Sequence, residues 1–183
     1  RDPPAAAEIT AMPLDYFPVD ACVLYNDLVT PFVAAGLNLE MRPGIGPVVH
    51  DPIVDAADVQ RLKLFDPPVE LAYTMDQIKL LKAQIDVPIL GFIGAPFTLC
   101  SYLIRGSRSK QQEEIKEFML RNPEAWHELA DFWAEHLAEF GVAQFEAGAS
   151  AVQVFDSWAG SLSMEDYEAL VLPHSHKLIY SMQ

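Results

Sequence analysis

Three short stretches place polar, reactive side chains just beyond apolar runs. Cys22-Val23-Leu24-Tyr25 leads into Asn26-Asp27, Pro88-Ile89-Leu90-Gly91-Phe92-Ile93 into Gly94-Ala95-Pro96-Phe97-Thr98, and Ala151 to Phe155 into Asp156-Ser157-Trp158-Ala159-Gly160. The carboxyl end of a strand is where α/β proteins collect ligand chemistry, so these three ends predict one shared site. Asp27 has two readings. It is either a turn or helix-capping aspartate, or a carboxylate held in a semi-apolar cavity and desolvated by its apolar neighbours. In the second case it would accept N–H bonds or steady a developing cation. Tyr102, within Phe97 to Leu103, reads by itself as a core ring with a satisfied hydroxyl.

Ser157 follows Asp156 in a tight turn but lacks the Gly-x-Ser-x-Gly elbow of a hydrolase nucleophile. A nucleophilic serine also needs an aligned base, and His50, His127, His136, His174 and His176 fall in turns or on helices away from the strand ends. Arg105, Arg108 and Lys110, with Gly106 and Ser107, form one compact basic segment, read as a solvated loop or as a place where anionic groups meet the strand end. The sequence contains no Gly-x-Gly-x-x-Gly, no phosphate loop and no Cys or His set with metal spacing.

The elements that must position these groups alternate. Asp2 caps a first helix with Pro3 in its opening turn, and a strand spans residues 21 to 25. Residues 39 to 54, around Pro43-Gly44-Ile45-Gly46-Pro47, read as a hairpin excursion, and Asp55 to Asp66 as a short helix and a turn ending at Pro67-Pro68. Leu71, Met75, Ile78, Leu81 and Ile85 predict one helix over residues 69 to 86, ahead of a strand over 88 to 93. Asn122-Pro123 starts the strongest helix, whose Trp126, Leu129, Trp133, Leu137 and Phe140 form a core stripe. Gly148 closes it before the strand at 151 to 155. Ser163 with Asp166 caps a last helix that Pro173 breaks or kinks. Strand alternating with helix implies a parallel sheet with right-handed crossovers. Three strands cannot close an eight-stranded barrel, which takes about 250 residues. The expectation is therefore one domain over residues 1 to 183, either part of a barrel or a small open sheet.

Composition narrows the classes. With 183 residues, 51% of them apolar, the chain has the makings of a globular core. A net charge of −14, from 26 acidic residues against 12 Lys and Arg, argues against nucleic-acid binding, which needs clustered cations. No apolar run approaches a membrane span. Cys22 and Cys100 sit in apolar segments and read as reduced, buried thiols of a cytoplasmic protein. The opening Arg1-Asp2-Pro3-Pro4 has neither an initiator Met nor a signal-peptide pattern, so the chain is expected to begin inside a longer protein.

Five blocks, in order, resemble the uroporphyrinogen decarboxylase family. They are Pro13-Leu14 through Phe17-Pro18-Val19-Asp20-Ala21; Tyr25-Asn26-Asp27-Leu28; Pro43-Gly44-Ile45-Gly46-Pro47; Gly91 to Leu99 with Tyr102; and Glu146-Ala147-Gly148-Ala149 through Phe155 to Gly160. The resemblance implies a (β/α)8 TIM barrel represented in part by this chain, a homodimer, and no metal or organic cofactor. It implies loss of the four acetate carboxylates of uroporphyrinogen III as CO₂, giving coproporphyrinogen III in haem biosynthesis. Asp27 matches the carboxylate that binds the pyrrole N–H groups, Tyr102 and Ser157 match groups that contact substrate carboxylates, and Phe155 would line the cavity wall. The family's amino-terminal Arg-Gln-Ala-Gly-Arg motif would lie upstream of Arg1, and later strands with a substrate-contacting histidine would follow. The chain alone is therefore expected not to turn over. Residues Arg105 to Lys110 stand where the family has an acidic residue and a glycine run. Two alternatives remain at this point: a corrinoid-linked methyltransferase, whose zinc-binding His and Cys residues would come later in the chain, and a non-catalytic truncated paralogue that binds tetrapyrrole.

Overall fold

A computed structural model describes residues 2–105 and 113–183. The first helix, α1 (Pro3–Tyr16), starts where Asp2 accepts the Ala5 N–H at 3.2 Å, with proline in the turn that needs no intrahelical donor. Then come β1 (Cys22–Val23), α2 (Thr30–Ala34) and an antiparallel hairpin, β2 (Leu39–Arg42) with β3 (Gly46–Val49), which pairs Leu39 with Val49. Gly44 and Gly46 turn it at φ 77° and 100°, a region that excludes most side chains. Helices α3 (Ala56–Val59), α4 (Pro67–Glu70) and α5 (Ala72–Gln84) lead to β4 (Ile89–Gly94). The chain continues through α6 (Pro96–Arg105), α7 (Glu113–Arg121) and α8 (Pro123–Glu146) to β5 (Ala151–Phe155). It ends with α9 (Met164–Asp166), a π-helical turn at Tyr167–Val171 and α10 (Leu172–Ser181).

The α/β order is realised as a parallel three-stranded sheet, β1-β4-β5, with Cys22 level with Ile89 and Gly94 level with Phe155. One face is sealed by helices. The α8 stripe of Trp126, Leu129, Trp133, Leu137 and Phe140 is buried and packs against β4, α6 and α10. Each such side chain removed from water stabilises the fold by about 2 kcal/mol. The other face is open. Val23, Ala151, Gln153 and Phe155 are exposed along it, with Leu90 and Phe92 half-buried between them.

Three elements differ from the sequence reading, each for a local reason. The first strand is two residues long rather than five because side chains take its later backbone groups. Leu24 N–H still reaches the Leu90 carbonyl at 3.0 Å, but the Tyr25 N–H goes to Thr10 Oγ1 at 2.9 Å and the Tyr25 carbonyl to Gln77 Nε2 at 3.2 Å. The vacated edge of β4 is filled by Gln144, whose Oε1 accepts the Phe92 N–H and whose Nε2 donates to the Phe92 carbonyl, both at 3.0 Å. Residues 69 to 86 form two helices, since the backbone departs from helical values at buried Leu71 (φ −109°, ψ 21°) and Pro67-Pro68 open the first of them. Pro173 acts upstream of itself. Lacking an N–H, it cannot continue the ladder below it, and the wide turn before α10 leaves the Leu170 carbonyl to accept Trp126 Nε1–H at 2.8 Å.

Candidate functional site

Asn26 and Asp27 follow β1 in a turn that the two side chains build themselves. Asn26 Oδ1 accepts the Asp27 N–H at 2.9 Å and the Thr30 hydroxyl at 2.7 Å, while its Nδ2 reaches buried Thr74 Oγ1 at 3.5 Å. Asp27 Oδ1 accepts the Val29 N–H at 3.0 Å, the side-chain turn that aspartate forms readily. Its Oδ2 has no hydrogen-bond partner among the described residues. The expectation of a desolvated carboxylate is corrected here. The turn points Val29 into the core at 1% exposure and half-buries Leu28, and the Asp27 carboxylate is left exposed. It lines a cavity of 650 Å³ whose walls are largely apolar, with Ile9 of α1, Tyr25, Val33, and Leu39 and Met41 of the hairpin.

The other named residues gather at the ends of the neighbouring strands and do not line that cavity. Phe155, level with Gly94, sets its ring edge-on to Phe92 at 5.6 Å. Ser157 is exposed in the turn that follows. Tyr102, half-buried on α6, meets the Trp158 ring edge-on at 6.1 Å. The Asp27 turn adjoins this group through Leu28, whose Cβ lies 3.8 Å from the point a side chain on Gly94 would occupy. Asp27 thus follows β1, Phe155 ends β5 with Ser157 just beyond it, and Tyr102 reaches the latter group from α6 through Trp158. From residue 106 onward, the basic segment Arg105 to Lys110 lies outside the described residues.

A further pair was not legible in the sequence. Thr98, fully buried in the first turn of α6, donates its hydroxyl to Asp156 Oδ1 at 2.8 Å. Burial pushes the Asp156 carboxyl above the usual carboxylate range, with hydrogen bonds from Thr98 opposing the shift. The two residues stand 58 positions apart, and only their adjacency to strand ends hints at a pairing. Away from the sheet, buried His174 bridges α8 and α10, facing Asp131 Oδ1 through Nδ1 at 2.7 Å and His127 Nδ1 through Nε2 at 2.8 Å. Both cysteines are free and buried, and no described helix is long and apolar enough to cross a membrane.

The family model for uroporphyrinogen decarboxylase (URO-D) matches residues 1–183. A uroporphyrinogen decarboxylase of Listeria monocytogenes serotype 4b (strain F2365) is 46% identical over 174 residues, covering 94% of this chain and 49% of the relative. That of Geobacillus kaustophilus (strain HTA426) is 43% identical over 184 residues, covering 100% of this chain and 53% of the relative. The chain thus spans about half the length of these curated relatives. Among solved structures, a methyltransferase from Methanosarcina mazei superposes with a TM-score of 0.73 at 19% identity, covering 100% of this chain and 54% of that one. That likeness concerns the fold alone.

Proposed function

Because the chain belongs to the uroporphyrinogen decarboxylase family, we propose that the protein carrying it removes the four acetate carboxylates of uroporphyrinogen III as CO₂, leaving coproporphyrinogen III. The observation that carries the reading is Asp27: a carboxylate fixed by its own turn, with one oxygen unpartnered among the described residues, at the carboxyl end of a parallel sheet beside a largely apolar cavity.

The chemistry follows from where the electrons go. Loss of CO₂ from an acetate arm leaves an electron pair that needs a sink, and a pyrrole protonated on carbon provides one. Its positive charge spreads to the ring nitrogen. A carboxylate facing the nitrogens therefore binds the cationic species more strongly than the neutral ground state, and only such differential binding accelerates the step. Protonation of the carbon that held CO₂ restores a neutral pyrrole with a methyl arm. The macrocycle supplies its own electron sink, so the step as written needs no metal or organic cofactor. In this reading Asp27 Oδ2 accepts the pyrrole N–H groups, Tyr102 and Ser157 contact the arm carboxylates beyond the Asp27 cavity, and Phe155, on the open sheet face outside that cavity, walls the barrel interior. The open sheet face, with Val23, Gln153 and Phe155 exposed on it, corresponds in this reading to the interior of a (β/α)8 barrel. A homodimer in the cytoplasm belongs to the same reading.

The test is anaerobic incubation of the full-length gene product with uroporphyrinogen III, followed by oxidation and chromatographic separation of the porphyrins. Sequential appearance of seven-, six-, five- and four-carboxylate products supports the reading. No loss of carboxylates, under conditions where one of the relatives converts the same substrate, overturns it.

A further inference from the structure

The Thr98 hydroxyl occupies a position to which the chemistry above assigns no task. It donates to Asp156 Oδ1 at 2.8 Å and accepts the Trp158 N–H at 3.3 Å. These two partners flank Ser157, so one hydroxyl staples the strand-to-helix turn on both sides of the exposed serine. Tyr102 stands four residues beyond Thr98 on α6, hence on the same helix face. Its ring meets the ring of Trp158, the residue whose backbone Thr98 holds. The contacts close a circuit: Thr98 to the turn, the turn through Trp158 to Tyr102, and Tyr102 back along one helical turn. Below the circuit, the Ala95 N–H bonds the Phe155 carbonyl at 2.8 Å, which fixes the strand ends but not the turn beyond them.

We propose that Thr98, acting on Asp156 and the Trp158 amide, is the positioning residue that sets Ser157 and Tyr102 at their working separation for the substrate's carboxylate arms. The inference rests on the decarboxylase reading, because that reading makes Ser157 and Tyr102 the arm-binding pair. Asp156 serves through its acceptor oxygen rather than its charge: what Thr98 needs from it is a fixed lone pair. A threonine suits the site because its hydroxyl donates once and accepts once in a fully buried position. The β-methyl also restricts the side-chain torsion that aims it.

Four variants of the full-length protein test this, assayed with uroporphyrinogen III. Thr98→Val keeps the shape and removes the hydroxyl, leaving the Trp158 N–H without its acceptor and the Asp156 carboxyl with only the Thr98 backbone N–H. Arm contacts held from ground state through transition state act as uniform binding, so their loss raises KM and spares kcat. The expected result is a KM rise of about tenfold with kcat changed less than about threefold, the size expected from weakening one or two hydrogen bonds. Thr98→Ser restores both bonds and returns KM to within about threefold of the parent. Asp156→Asn keeps an acceptor oxygen and behaves like Thr98→Ser, whereas Asp156→Ala behaves like Thr98→Val. Amide exchange at Trp158 is read in parallel. It should quicken in Thr98→Val and stay slow in Thr98→Ser.

Several outcomes overturn the inference: an unchanged KM in Thr98→Val, a loss confined to kcat, failure of Thr98→Ser to rescue, or a kcat collapse in Asp156→Asn, which would make that carboxyl a reacting group. Faster exchange at Trp158 without a KM change overturns it too, because the clamp would then exist without serving the substrate. An inactive parent protein defeats the decarboxylase reading itself. A normally active parent with a kinetically silent Thr98→Val defeats only the positioning role.

Discussion

Replacing Asp27 by Asn separates what this side chain does for the fold from what it does in the proposed reaction. The Asp27 carboxylate spends Oδ1 on the Val29 N–H, and Asn26 and Thr30 complete the turn around it. Asparagine offers the same acceptor to Val29, so the turn persists. Stability should move by no more than about 0.5 kcal/mol, as for other exposed substitutions. Asp27→Ala loses that acceptor as well, at about 1 kcal/mol, or roughly 2–4 °C in Tm for a chain of this size. The kinetic effect is different in kind. A unit charge about 4 Å from a delocalised cation is worth about 4 kcal/mol at an effective dielectric constant near 20. Asp27 is exposed, so solvent screening reduces this until the macrocycle covers the site. About 3–4 kcal/mol retained in the transition state corresponds to a kcat loss of roughly 10²–10³-fold. Asp27→Asn and Asp27→Ala should therefore be about equally inactive but unequally stable. The assay is single-turnover loss of the first carboxylate alongside a thermal melt. An Asp27→Asn protein that keeps more than a tenth of the parent kcat, with substrate saturating, would refute the electrostatic argument.

Three further outcomes follow from named contacts. Gln144→Leu strips Phe92 of both backbone partners, each 3.0 Å from a fully buried amide. Two orphaned buried groups amount to about 2–4 kcal/mol, so Tm should drop by roughly 5–15 °C, and a melt within 1–2 °C of the parent would show that β4 does not need this support. Asp156 has a folded-state pKa raised by burial, so its contribution to stability is fully present below its unfolded pKa of about 3.9 and is lost as pH rises through the folded value. Asp156→Asn should therefore be at least as stable as the parent in urea melts at pH 7.5, with any advantage vanishing near pH 4. A large destabilisation at pH 7.5 contradicts this. His174 has its pKa lowered, chiefly by burial, against the pull of Asp131. Burial likewise pushes Asp131 up, but the bonds from His174 and Lys177 prevail and hold it below the ordinary value. The His174 shift means an imidazole that stays neutral in the fold. Its stability is present above the unfolded histidine pKa of about 6.5 and is lost as pH falls towards the folded value. Urea melts should weaken from pH 7 to pH 5.5 in the parent and respond less in His174→Gln, and equal slopes would refute the assignment.

What the sequence made legible was local. The Asp2 cap, the Gly44–Gly46 hairpin, the α8 stripe and the strand at Ala151–Phe155 each depend on residues within a turn or two of one another, so periodicity and capping chemistry reveal them. The departures are non-local. β1 is cut short by Thr10 and Gln77, which lie on two different helices, and β4 is completed by Gln144, 52 positions from its partner. No window around Tyr25 or Phe92 contains those competitors. Asp27 illustrates the same limit for the site. Its apolar neighbours suggested desolvation, but Val29 is buried because it turns away from the carboxylate. Hydrophobic neighbours in sequence therefore said little about hydrophobic neighbours in space. Tyr102 and Ser157 were found one at a time, whereas the Thr98 contacts that relate them are visible only once α6 and β5 are side by side.

The charge of the chain sharpens the proposed mechanism. In the proposed reaction a tetrapyrrole with eight carboxylates would meet a chain of net charge −14, and a carboxylate at the ring's centre would have to attract the ring while its neighbours repel the arms. Coulomb energy falls as the inverse of distance, so a ring charge about 3 Å from Asp27 outweighs a single arm charge about 9 Å away by roughly threefold. Eight arms together exceed that advantage unless they are screened or paired. Water screens arms at an open rim, but the step that benefits from Asp27 is the one in which water leaves. Paired cations at the periphery are therefore a requirement of the mechanism rather than an embellishment. Among the described residues lining the Asp27 cavity there is no Lys or Arg. In the proposed mechanism this division of labour would make Asp27 selective for the protonated ring: cations would cancel the constant charge of the arms, and the central carboxylate would respond to the charge that appears during reaction.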